Sequence, residues 1–147
     1  MTTTLKERLG QGDARKAVVR DACEVLDLEV ADKSGLGGVA IRGAYSIVKG
    51  IKPGFVADVI DGLLDDFLDA IDPIYQEGKS TGQPAGKHVA ANADRVAEKL
   101  LAITDGRAQA SSRAVVRKTY DKLRPSAKKH VAAAAPRLGQ LLERHAP

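Results

Sequence analysis

The sequence predicts an all-α fold, a single-domain bundle of six main helices, on three observations. Apolar residues recur at three- and four-residue spacing along most of the chain. No segment sustains the polar and apolar alternation of a half-buried strand. Only five of 147 residues are aromatic and Trp is absent, so a core has to be built from Ala, Val, Leu and Ile packed between helices. With 44% hydrophobic and 29% charged residues, the chain has the material for one compact domain over residues 1–147.

Each element has a local reason. The short TLKERL segment adds a minor helix at the start. From Asp13, a plausible N-cap, Val19, Cys23, Leu26 and Val30 share one face while Lys16, Arg20, Glu24 and Asp27 line the other, which predicts a helix over 13–31. A second helix is expected over 36–49, rich in small residues, with Gly50 as its stop. The third, over 54–71, carries Val56, Ile60, Leu63, Phe67 and Ile71 on one face, and Asp72-Pro73 is expected to end it. Residues 76–86, with three Gly and one Pro in QEGKSTGQPAG, read as a linker. A fourth helix over 86–104 places Val89, Ala93, Val96, Leu100 and Ile103 on a narrow stripe. Ser111 or Ser112 caps a fifth to Leu123, and Ser126 caps a sixth carrying Val131, Ala135, Leu138 and Leu142, which Pro136 should kink or split. The expected core includes Val19, Cys23, Leu26, Ile60, Leu63, Phe67, Val96, Leu100, Val116 and Leu138.

The two halves, 13–75 and 86–147, invite comparison. Asp21, Leu28, Val30 and Asp32 stand 73 residues before Asp94, Leu101, Ile103 and Asp105, and Ile41, Arg42 and Tyr45 stand 75 before Val116, Arg117 and Tyr120. One reading is two pseudo-repeated three-helix units packed about a pseudo-twofold; the other is chance register between helices of biased composition.

Charge is polarised. Residues 1–75 carry 9 basic and 13 acidic side chains, net −4; residues 76–147 carry 14 basic and 6 acidic, net +8. On the third helix Asp58, Asp61, Asp65, Asp69 and Asp72 fall on one face, with Asp66 adjacent and no basic residue from Phe55 to Tyr75. Such a stripe repels itself by a few tenths of a kcal/mol per pair, so it must be solvated or matched. Its expected counterpart is the cluster Arg107, Arg113, Arg117, Lys118, Lys122, Arg124, Lys128 and Lys129, which contains a single acid, Asp121. Arg113, Arg117, Arg124 and Lys128 can share a face.

Chemistry-bearing motifs are weak. Gly35-Leu36-Gly37-Gly38-Val39-Ala40 has the G-x-G-x-x-A spacing of a dinucleotide loop, but helical residues precede it where that loop needs a strand. The glycines read better as sites of close backbone approach. Gly78-Lys79-Ser80 lacks the upstream glycine of a phosphate loop. His88, His130 and His145 have no metal-ligand spacing, and Cys23 sits on an apolar helix side, where a thiol acts as a small hydrophobe. No metal, no cofactor and no enzymatic activity are expected. The lone cysteine, the lack of a signal-like apolar run at the start and the lack of any long apolar segment make the cytoplasm the expected location.

The segments EVADKSGLGGVAIRGAYSIVKGIKPGFV and VVRKTYDKLRPSAKKHVAAAAPRLGQLLERHA resemble a family of small bacterial proteins, frequent in actinobacteria and myxobacteria, that is classed as a domain of unknown function. The resemblance implies a standalone cytosolic protein and brings no site residues with it. From the charge layout the expected function is a non-enzymatic interaction module that uses the basic C-terminal face and the Asp-striped helix for partner or self-association. A carrier of a small apolar ligand or lipid in the bundle core, and a nonspecific binder of nucleic acid or anionic surfaces, are the alternatives.

Overall fold

The computed structural model describes residues 3–147, and these form seven helices without a strand. They are α1 (Leu5–Leu9), α2 (Gly12–Ala31), α3 (Gly35–Lys49), α4 (Phe55–Ser80), α5 (Ala85–Ala91), α6 (Ala93–Ala110) and α7 (Ala114–His145). The all-α bundle read from periodicity is therefore the fold. Among the described residues no helix is long and apolar enough to cross a membrane.

The long α7 is the spine, packed by α5, α6 and α2, while α4 packs against α5, α6, α2 and α1. Leu64, Leu68, Ile71, Ile74 and Tyr75 of α4 join Val89, Val96, Leu100, Leu141 and Leu142 in one continuous core, which α1 closes with Leu5 and Leu9. Of the expected core, Leu63, Val96 and Leu100 are buried, and Val19, Phe67 and Leu138 pack partly buried against it. Cys23, Leu26, Ile60 and Val116 are only half-buried.

Proline misplaces the predicted boundaries. α4 continues past Pro73 to Ser80, and α7 runs through both Pro125 and Pro136, where two helices were expected. All three prolines lie on exposed faces. The carbonyl each leaves without a partner sits four residues earlier on the same side, where it can be hydrated. Burial of Ile74 and Tyr75 beyond Pro73 then outweighs the lost bond. The expected linker 76–86 shrinks to residues 81–84, turned by Gly82 at φ 76°. Conversely, the predicted fourth helix breaks at Asn92, whose amide donates to the His88 carbonyl at 2.8 Å. Ser126 is no cap either; inside α7 its hydroxyl donates to the Leu123 carbonyl.

The second half thus has no third helix to match α4, because the break at Arg124-Pro125 does not form. What the halves do share is a corner device. Tyr45 donates to Asp27 and Tyr120 to Asp105, while Arg42 and Arg117 donate to the turn carbonyls of Lys33 and Ser111. Asp27 is not the residue 73 positions before Asp105, so the register of the sequence match is not kept.

Candidate functional site

The Asp stripe of α4 is exposed but matched, and its partners are not the ones expected. The guanidinium of Arg15, at the start of α2, donates to Asp61 at 2.7 Å and to Asp65 at 2.8 Å, and also to the carbonyls of Gly10 and Asp61. Its hydrogen bond holds the Asp65 carboxyl below the usual range. Lys6 pairs with Asp69, Lys52 with Asp58, and the amide of Leu5 donates to Asp72. From the C-terminal basic cluster, among the described residues, only Arg107 forms an ion pair with this helix, at Asp66. The cations nearest in space come from α1, α2 and the α3–α4 turn because α1 folds back along α4 to bury its two leucines. The stripe is therefore largely an internal seam.

The expected basic face divides in the same way. Arg124 donates to Asp105 through Nε and Nη2, which with the Tyr120 hydroxyl lowers the Asp105 pKa. Lys128 pairs with Glu98 at 2.9 Å, Arg113 lies over the Phe55 ring and Arg117 holds the Ser111 carbonyl. These residues, the face the sequence favoured, are occupied within the chain. Lys118, Lys122 and Lys129 are exposed and have no salt-bridge partner among the described residues. Spaced by four and seven, they share one side of α7.

That side borders α3. Between α3 and α7 runs a groove of about 880 Å³ whose walls include Gly37, Gly38, Val39, Ala40, Gly43, Ala44 and Ile47 from α3 and Lys118, Lys122, Leu123, Ser126, Lys129 and His130 from α7. Four lysines line it against one aspartate, and of these Lys33 pairs with Glu29 and Asp32 with Arg137. Burial, with Lys33 and Lys129 adding to it, pushes the His130 pKa down, so the ring is neutral near pH 7.

α3 itself is the anomaly of the fold. It touches α2, α4 and α7 only lightly. Its apolar residues Leu36, Val39, Ala40, Gly43 and Ile47 recur at helical spacing, yet Leu36 is 92%, Val39 60% and Ile47 55% exposed. Gly38 is where the expected close approach occurs: a Cβ there would stand 2.7 Å from the Lys33 carbonyl carbon. At Gly37 and Gly43 a Cβ would meet nothing within 4 Å, so the chain itself does not need glycine there. Sequence reasoning read α3 only as a helix rich in small residues, with its glycines as sites of close backbone approach. The signal for the exposed stripe was that none of the expected core residues lies on α3.

Cys23 is half-buried, with burial, then Asp27, raising its pKa. The three histidines lie apart: His88 meets Glu77, His145 meets Asp21, and His130 faces the groove.

A model of a family described as a family of unknown function (DUF6918) matches residues 5–146. No curated protein matches the chain, and no solved structure does.

Proposed function

We propose that this chain, which belongs to the DUF6918 family, is a non-enzymatic binding module that recognises an anionic protein partner through the α3–α7 groove. The observation that carries this reading is the juxtaposition of an exposed apolar stripe on α3 with three unpaired lysines on α7. Contiguous exposed apolar surface beside charge is the signature of a docking site rather than of a solvated face. The acidic stripe drops out of the reading because four of its five carboxylates already have cations and Asp72 accepts from the Leu5 amide. A carrier of apolar ligand within the core has no support in the buried cluster, which is filled by its own side chains.

The test is charge reversal. Fluorescein-labelled polyglutamate titrated with the protein should show saturable binding that weakens as salt rises from about 0.05 to 0.5 M, where the Debye length falls from roughly 14 to 4 Å. The variant Lys118→Glu, Lys122→Glu, Lys129→Glu should lose at least about tenfold in affinity. Because none of the three has a carboxylate partner among the described residues, its thermal midpoint should stay near that of the parent. Binding that is absent at low salt, or unchanged by the reversal, contradicts the proposal.

A further inference from the structure

We infer that the occupant of the α3–α7 groove is an acidic amphipathic helix supplied by the protein partner. This rests on the reading above and narrows it. The 15 residues of α3 make a ridge about 22 Å long, the scale on which helix-in-groove recognition works. The apolar face to be covered is a helical stripe, Leu36, Val39, Ala40, Gly43 and Ile47, and a partner helix with its own three- and four-residue spacing can pack along it. Glycine is the costliest ordinary residue within a helix, apart from proline. At position 43, in mid-helix, nothing in this chain gains from the missing Cβ. A second helix backbone approaching from outside would gain from it.

Charge selects among occupants. A second copy laid on the same face would set Lys118, Lys122 and Lys129 against their own equivalents, whereas a helix with acids flanking its apolar stripe would pair with them. A bilayer is flat: it meets the projecting Leu36 and Val39 but does not enter the groove between α3 and α7. Nucleic-acid bases would find no Phe, Tyr or Trp in the groove to stack on, only the half-buried imidazole of His130.

The experiment selects binders from a displayed library of random peptides about 16 residues long, a length that matches α3 when helical, using the full-length protein as bait. Expected are enriched sequences with acids flanking apolar residues at i, i+3 or i+4, and i+7. Each should gain helical circular dichroism on binding and lose at least about tenfold in affinity towards Val39→Lys and Gly43→Ala. Gly43→Ala is the sharper variant, since its Cβ has open space in the free protein and only an occupant can object to it. Enrichment of acidic sequences without helical period, or with affinity indifferent to Gly43→Ala, overturns the helix and leaves the basic groove standing. Binding of phosphatidylserine vesicles, but of no peptide, also overturns it, as does dimerisation lost in Val39→Lys. If neither acidic peptides nor polyglutamate bind in a groove-dependent way, the binding module falls with it.

Discussion

Gly86→Ala is expected to destabilise the protein severely, at the upper end of the roughly 1–3 kcal/mol of overpacked cores or beyond it. α5 crosses α7 at Gly86 and Gly139, and a Cβ on Gly86 would stand 2.2 Å from the Gly139 carbonyl oxygen and 2.5 Å from Cγ of Glu143. The reverse substitution meets the same wall, since a Cβ on Gly139 would lie 2.3 Å from the Gly86 oxygen. A side-chain end can swing away; a helix carbonyl moves only with its helix. The Gly86 amide also donates to Glu143 Oε1 at 2.8 Å, so separating the helices would forfeit that bond as well. Urea denaturation of Gly86→Ala and Gly43→Ala side by side measures the contrast. The first should lower the midpoint sharply, and the second should raise stability by up to about 1 kcal/mol, as alanine does in open helix positions. Equal midpoints would mean that α5 and α7 do not cross in this way.

The second large effect lies at the N-terminus. A five-residue helix has no stability of its own, so α1 exists only through what it touches. Arg8 donates to the Tyr75 hydroxyl at 2.8 Å and to the Pro147 carbonyl at 3.1 Å, while Tyr75 donates to the Ala146 carbonyl, which ties both chain ends to α4. Exposed pairs such as Lys6 with Asp69 contribute little, about 0–1 kcal/mol. Leu9, 1% exposed, contributes far more, and Leu9→Ala should cost about 2–5 kcal/mol. Guanidinium denaturation of Leu9→Ala and Lys6→Ala separates the two. A Leu9→Ala protein within about 0.5 kcal/mol of the parent, the range of neutral surface changes, would place α1 outside the core.

What the sequence revealed, and what it hid, follows one physical line. The ends of α2 and α3 were legible because helical spacing and stop residues are local, and they fall within a residue or two of the expected ones. But α2 is preceded by Gln11 rather than capped by Asp13, and it buries Val18, Val25 and Glu29, one position before the expected Val19, Leu26 and Val30. Pro73 and Pro125 misled because a local rule was applied where burial of distant residues decides: Ile74 and Tyr75 hold α4 together beyond its proline. The Asp stripe was legible as a face, but its cations were not. Arg15 lies 46 and 50 residues from the carboxylates it binds, a distance only the fold can close. The eight-residue basic cluster was visible as one feature. Whether a given cation is free depends on carboxylates carried by other helices. Asp105 and Glu98 of α6 take Arg124 and Lys128, and among the described residues no carboxylate takes Lys118, Lys122 or Lys129.

Site-specific photocrosslinking distinguishes recognition at the α3–α7 groove from recognition at the acidic seam of α4. A benzophenone amino acid is placed singly at Val39, in the groove, and at Asp69, on the seam, in the full-length protein inside its native cells. Position 39 should give a discrete higher-mass adduct that disappears in the Lys118→Glu, Lys122→Glu background, and position 69 should give none. An adduct from position 69 with none from position 39 would contradict recognition at the groove.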